Sequence, residues 1–86
     1  EQGKFAEALT QYRLGKQQSP ADKRFAEGEA ASLLRLGSTQ EAEDLYRALA
    51  RSEPNPQLKS RHLFQAGVAA YRGERLESAK SLFDEA

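Results

Sequence analysis

Four arginines recur in the sequence at a spacing that places them on one helical surface. Arg24 and Arg35 are eleven residues apart, about three turns of an α-helix, so the two side chains point in nearly the same direction. Arg61 and Arg72 repeat this pair 37 residues later. Because a guanidinium presents a planar fork of N–H donors, such a surface suits carboxylate or phosphate groups. The competing interpretation is that all four are solvated helix residues paired with nearby acids.

The other chemically capable residues do not form a pattern that predicts catalysis. His62 is the only histidine, and no nucleophile or base accompanies it in a recognisable pattern, so we expect a partly exposed helix residue. Glu41, Glu43 and Asp44 fall where the first turn of a helix favours acids, which indicates a structural role rather than a cation site. With no cysteine and no glycine-rich phosphate loop, the sequence predicts no enzyme activity, no metal site and no cofactor.

The charge balance narrows the class of partner. Thirteen Lys and Arg offset thirteen Asp and Glu in 86 residues, so the formal net charge is zero. A neutral chain lacks the long-range positive field that non-specific nucleic-acid binding needs. No apolar run approaches the roughly 20 residues of a membrane span. We therefore expect no nucleic-acid partner and no direct membrane insertion, while bacterial cytoplasm and periplasm both stay open as the compartment.

The sequence repeats itself at two offsets. A shift of 34 residues superimposes Gly3 on Gly37, Ala8 on Ala42, Tyr12 on Tyr46, Arg13 on Arg47 and Pro20 on Pro54. A shift of 37 residues superimposes Arg24 on Arg61, Arg35 on Arg72 and Ala42 on Ala79. Repeats of about 20 to 50 residues are typical of units that cannot bury their apolar face alone and must stack on neighbours.

Each unit is predicted to contain two helices, because apolar residues recur at helical spacing and no period-two strand pattern occurs. The first predicted helix covers about residues 4–18. Ser19 is predicted to cap a second helix that has Pro20 in its first turn and ends at Leu36, before Gly37.

Three further helices follow by the same signals. Ser38 and Glu41 have the spacing of a capping box, which predicts a third helix that ends before Ser52. Asn55 is predicted to cap a fourth helix over about residues 56–72, with an extra first turn or a longer loop before it. A fifth helix follows Gly73. The predicted fold class is therefore all-α, with about five helices.

The residues Ala30, Gly37, Ala42, Tyr46 and Pro54 resemble the signature of the tetratricopeptide repeat, a 34-residue helix-turn-helix unit. The resemblance implies a right-handed α-solenoid in a single repeat domain over residues 1–86. Residues 3–20 correspond to the second helix of a partial repeat, 21–54 to a full repeat, and 55–86 to a full repeat with about three extra residues.

The resemblance also implies how neighbouring units meet. Tyr12, Tyr46 and Phe83 are expected to fill the gaps between adjacent units. Because both ends of the chain interrupt a unit, we expect a fragment of a longer array, with self-association through the exposed repeat ends.

In tetratricopeptide arrays the first helix of each unit lines a concave groove, so the resemblance implies a ligand groove formed by the second and fourth helices. Its predicted lining is Arg24, Glu27, Ala31, Leu34, Arg35, Arg61, Phe64, Val68, Tyr71 and Arg72. Arginines interleaved with aromatic residues suit a peptide partner that carries carboxylates and an apolar anchor.

Two functions from different classes follow. The first is a protein–protein interaction scaffold that binds a peptide or an acidic partner segment in this groove. The alternative is a structural spacer or oligomerisation segment of a larger assembly, such as an accessory array of a bacterial envelope or polysaccharide-export system. The recurrence of the arginine pair favours the scaffold.

Overall fold

The computed structural model describes residues 2–86, with side chains from residue 3 onward, as five α-helices joined by short turns. These are α1 (Gln2–Gln18), α2 (Lys23–Arg35), α3 (Thr39–Arg51), α4 (Pro56–Arg72) and α5 (Leu76–Glu85). No strand occurs in this described range. The prediction of an all-α fold with five helices is therefore confirmed for these residues.

The start of α2 differs from the prediction. Asp22, rather than Ser19, is its N-cap, and the Asp22 carboxylate accepts a hydrogen bond from the backbone N–H of Arg24 at 3.1 Å. The N–H of Asp22 in turn donates to the carbonyl of Ser19 at 3.0 Å. This bond closes a turn with Pro20 at its second position, where the fixed φ of proline is favourable. The proline therefore belongs to a turn before the helix and not to the helix itself.

The ends of α2 and α4 have equivalent backbone conformations. After α2 the left-handed residue is Gly37, with φ 86°, and after α4 it is Glu74, with φ 62°. The N–H of Ser38 donates to the carbonyl of Leu33 at 2.9 Å, and that of Arg75 donates to Ala70 at 2.9 Å. These are the hydrogen bonds of a Schellman C-cap, in which glycine is the favoured left-handed residue. Gly73 is the C-cap of α4, which ends at Arg72 as predicted, and the left-handed conformation falls on the following residue, Glu74.

Gly73 lies close to two side chains. A Cβ atom at this position would meet the flexible end of Arg75 and the Thr39 hydroxyl. The predicted capping box is also not formed, since the side chain of Ser38, the N-cap of α3, makes no capping hydrogen bond. Asn55 does cap α4, where its side chain accepts from the N–H groups of Gln57 and Leu58 at 2.9 and 3.2 Å.

The extra residues of the second unit lie at the start of α4. The helix has 17 residues against 13 in α2. Their last residues, Arg35 and Arg72, are 37 positions apart, whereas their first residues, Lys23 and Pro56, are only 33 positions apart. The additional length is therefore one extra N-terminal turn.

Each helix packs against the next one in sequence, and α2 and α4 also meet through their side chains. The main core cluster contains residues from four helices: Ala30 of α2, Tyr46 and Leu49 of α3, Ala66 and Ala70 of α4, and Ala79 and Leu82 of α5. Glu27 of α2 lies beside His62 of α4, and further along the chain Leu34 of α2 shares a cluster with Ala69 of α4. Residue numbers therefore increase in the same direction along both helices, which run side by side.

The three repeated aromatic residues do not have the same environment. Tyr46 is 6% exposed, whereas Tyr12 and Phe83 are 36% and 37% exposed. The Tyr12 ring lies where a Cβ of Gly28 would be, and the Phe83 ring lies where a Cβ of Gly67 would be. Only Tyr46 is enclosed by helices on several sides.

Two buried acids link helices through ion pairs. Glu29 of α2 accepts from Arg13 at 3.0 Å and from Lys16 at 2.7 Å, which ties α2 to α1. Glu43 of α3 accepts from Arg47 at 2.9 Å and from Arg75, just before α5, at 2.7 Å. Burial disfavours ionisation of Glu29, but the hydrogen bonds from Lys16 and Arg13 outweigh it and hold the pKa of Glu29 below its ordinary value.

Replacing Tyr46 by Ala should lower the free energy of unfolding by about 3 to 5 kcal/mol, because the ring is buried among residues of four helices. Urea denaturation followed by circular dichroism measures this loss. Tyr71→Ala is the matched control, since Tyr71 is 63% exposed and its loss should cost under about 1 kcal/mol. A loss below about 1 kcal/mol for Tyr46→Ala as well would contradict the packing described here.

Glu29→Gln should lower the stability at neutral pH by about 1 kcal/mol, since the cations that it pairs with are half exposed. Because the folded-state pKa is lowered, the charged form stabilises the fold above the ordinary carboxyl value of 4.5. This contribution is lost as the pH falls below that value, so the wild-type and variant stabilities should converge in acid. Unfolding curves at a series of pH values test this, with Glu7→Gln as a control at an exposed position, whose stability at neutral pH should stay within about 0.5 kcal/mol of the wild type.

Candidate functional site

The outward side of α2 and α4 forms one continuous surface, which we call the α2–α4 face. Its exposed members are Arg24, Ala31, Arg35, Arg61, Phe64, Tyr71 and Arg72. The two helices bury equivalent sides, with Ala30 and Ser32 of α2 matching Gly67 and Ala69 of α4 at an offset of 37 residues. The predicted arginines are exposed on both helices, but the equivalence is incomplete, because Leu34 is buried while its counterpart Tyr71 is exposed.

Arg24 does not have the role expected of it. Its guanidinium makes a two-point ion pair with the N-cap residue, from Nε to Oδ1 of Asp22 at 3.0 Å and from Nη2 to Oδ2 at 2.7 Å. These hydrogen bonds also hold the pKa of Asp22 below its ordinary value. The arginine is therefore occupied by an acid of its own chain, because the true cap lies two residues before it.

Arg35 is placed differently, with its guanidinium carbon 5.5 Å from the centre of the Phe5 ring of α1. This distance is within the range of a cation–π contact, which leaves the N–H donors at the edge of the guanidinium free to bind. Ala31 lies one turn earlier on the exposed side of α2.

Two of the predicted lining residues belong to the core. Leu34 is 8% exposed and clusters with Leu33, Ala42 and Ala69, and Val68 packs against the same cluster. Residue 34 lies on the side of α2 that is turned toward α4, so it is covered when the two helices pack. The prediction that Leu34 lines a groove is wrong, and Val68 is only partly accessible.

The α4 half of the face is the more open half. Phe64 is 52% exposed and Tyr71 is 63% exposed, and they are flanked by Arg61 and Arg72. The ring of Phe64 contacts that of Phe83 with a centroid distance of 5.4 Å and an interplanar angle of 47°. Within the described residues, neither Arg61 nor Arg72 has an acidic group within 4.0 Å.

A small pocket of about 160 Å³ opens between α2, α3 and α4. Its lining consists of Glu27, Tyr46, Arg61, His62 and Gln65. His62 is 3% exposed, so the expectation of a partly exposed histidine is wrong. The residue has the helical spacing i, i+4, i+7 with the buried Ala66 and Ala69, which is the signal in the sequence that identifies it as a core position.

The polar groups of this pocket are incompletely paired. Nε2 of His62 is buried, has no hydrogen-bond partner among the described residues, and lies 3.5 Å from Oε2 of Glu27. Burial raises the pKa of Tyr46, and the negative charge of Glu27 raises it further. Sequence reasoning included Glu27 and Arg61 but missed Tyr46, His62 and Gln65, because the pocket forms only where three helices meet.

No group of three or more His, Cys, Asp or Glu side chains within the described range is arranged to hold a metal ion. None of the helices described has the length and apolar character needed to cross a membrane.

Comparison with known proteins yields no relative. No protein-family model matches the chain, and no curated protein or solved structure matches it either. The tetratricopeptide resemblance therefore rests on the repeated residues alone and stays a prediction.

Proposed function

We propose that this chain is a segment of a right-handed, tetratricopeptide-like solenoid that acts as a protein–protein interaction scaffold and not as an enzyme. Two features support the architecture: α2 and α4 run side by side in the same direction, and both are followed by the same C-cap at positions 37 residues apart. The ligand is an acidic peptide segment bound on the α2–α4 face.

The observation that carries this function is the pair of unoccupied arginines beside exposed aromatic rings on α4. Arg61 and Arg72 have no acidic partner within the described residues, whereas Arg24 is neutralised by Asp22. An arginine without an intramolecular partner can form charge-assisted hydrogen bonds to a carboxylate without first breaking an ion pair. Three of the four arginines expected from the spacing, Arg35, Arg61 and Arg72, are therefore available on this face, with Arg35 stacked on Phe5.

Phe64 and Tyr71 supply the apolar part of the interaction. Both rings are more than half exposed, and aromatic side chains of this kind supply much of the binding energy at protein interfaces. They lie between the two arginines along α4, so a peptide that runs along the helix meets cation, ring, ring and cation in order. Glu27 reduces the positive potential at one end, which favours the Arg72 end for the most acidic part of the peptide.

Selection of random decapeptides on the immobilised chain tests this function. We expect the enriched sequences to be rich in Asp and Glu around an apolar residue, and their affinity to fall with salt. Arg61→Ala combined with Arg72→Ala should weaken the selected peptides by about 2 to 5 kcal/mol if the guanidiniums are desolvated in the complex. Isothermal titration calorimetry measures the affinity, and the free energy of unfolding should change by under about 0.5 kcal/mol.

Arg51→Ala is the matched control, because Arg51 is an exposed arginine in the last turn of α3. It removes the same charge away from the face and should leave peptide affinity unchanged. Enrichment with no preference for acidic residues, or an equal loss of affinity in the control, would contradict the proposal.

The alternative function, a spacer or oligomerisation segment, is favoured by exposed apolar side chains on the first and last helices. Leu14 of α1 is 46% exposed and Leu76 of α5 is 60% exposed. Hydrophobic residues at the two outer helices of a stack are suited to contact a further helix.

Self-association through these residues predicts a sedimentation coefficient that rises with concentration across the micromolar to millimolar range. Leu14→Gln combined with Leu76→Gln should abolish this rise, because it removes an apolar residue from each outer helix. The control is Ala31→Gln, which alters an exposed residue of the α2–α4 face and should leave association unaltered. Leu58→Gln would be unsuitable as a control, because Leu58 of α4 is partly buried. A monomer at all concentrations would contradict this function and leave the peptide scaffold.

A further inference from the structure

We propose that the pocket between α2, α3 and α4 binds a primary carboxamide, the side-chain group of glutamine or asparagine. This inference deepens the proposed function and rests on it, since Arg61 and Glu27 connect the pocket to the α2–α4 face. The pocket would then select one residue of the bound peptide, while the exposed arginines and aromatic rings provide general affinity.

The charges at the pocket indicate a ligand with both donor and acceptor atoms. Arg61 of α4 and Glu27 of α2 line the same pocket. In the described part of the chain these two side chains do not form an ion pair with each other, and the group nearest to Glu27 is His62. One wall therefore offers N–H donors and the other offers carboxylate acceptors. A carboxamide complements both, because its oxygen accepts from the guanidinium while its NH₂ group donates to the carboxylate.

The neutral groups fit the same ligand. The Tyr46 hydroxyl and the Gln65 side chain can each donate and accept, so they can pair with either end of a carboxamide. A carboxylate ligand would bring a second negative charge beside Glu27, and an aliphatic ligand would leave the polar lining unpaired. The volume of about 160 Å³ is well above the roughly 10 to 15 Å³ that a cavity needs to hold one water molecule, so the pocket has room for a larger group.

His62 is a positioning residue in this site. A carboxylate can only accept hydrogen bonds, so the His62 tautomer with its proton on Nε2 is the one that can pair with Glu27. The distance of 3.5 Å from Nε2 to Oε2 is longer than a good N–H···O bond, which is about 2.7 to 3.2 Å. When the carboxamide draws Glu27 inward, the His62 N–H can form this bond and hold the carboxylate against the ligand.

The single histidine makes a direct test possible, since its side-chain ¹⁵N signals need no assignment among several residues. The probes are the N-methylamides of N-acetyl-glutamine and N-acetyl-glutamate, which have nearly the same shape and differ in the side-chain terminus, so that only the glutamine probe carries a primary carboxamide. At neutral pH we expect a saturable shift of the His62 signals with the glutamine probe. The glutamate probe should bind about tenfold more weakly, because it loses a charge-assisted hydrogen bond and gains repulsion.

Two substitutions sharpen the assignment. Glu27→Gln should remove the preference for the glutamine probe or reverse it, because the negative charge that excludes a carboxylate is gone. Arg61→Gln should weaken the glutamine probe about tenfold, whereas Arg51→Gln on α3 should change it less than about twofold. Circular dichroism spectra and unfolding curves of each variant establish that the fold is retained.

The inference is overturned if the glutamine probe gives no saturable shift, or if the wild-type chain binds both probes equally. Neither result depends on peptide selection, so the two proposals fail separately. Acidic peptides selected without any enrichment of glutamine or asparagine would refute the carboxamide site and leave the scaffold function standing.

Discussion

The arrangement of α2–α5 depends on the contact between Tyr46 and the alanines around it. Tyr46 and Leu49 of α3 share a cluster with Ala30, Ala66, Ala70 and Ala79, which come from the three other helices. The small side chains allow the helix backbones to approach closely, and the one large ring fills the space between them. Because Leu82 is the only large side chain below 2% exposure among the described residues, there is little other apolar volume to replace this contact.

The packing of α3 against both α2 and α4, with side-chain contacts between those two helices, determines which polar groups remain available. Acids of the same chain occupy several of the cations: Asp22 pairs with Arg24, Glu29 with Arg13 and Lys16, and Glu43 with Arg47 and Arg75. These pairs lie in a turn, within α3 or between helices. Arg61 and Arg72 lie on the outward side of α4, beyond the reach of those acids, and this position makes them the candidates for binding a partner.

The same packing creates the pocket and explains its chemistry. When α2 and α4 meet in parallel, Glu27 is brought to 3.5 Å from a buried histidine nitrogen, while Arg61 stays at the rim. Tyr46 contributes both to the core and to the pocket, so the residue that holds the helices together also lines the candidate site. The proposed recognition would thereby be coupled to stability at one side chain.

The sequence by itself determined the helical fold class, the number of helices, the bounds of α4 and the alignment of equivalent positions 37 residues apart. These follow from local signals, namely Asn55 as a cap, Gly37 at a left-handed position and apolar residues at helical spacing. The start of α2, the burial of Leu34 and His62, the occupation of Arg24 and the pocket at Tyr46 were decided only by the tertiary structure. Each depends on which side of one helix is covered by another, or on which acid lies nearest in space. Spacing along one chain segment does not specify these distances, because they arise from contacts between residues far apart in sequence.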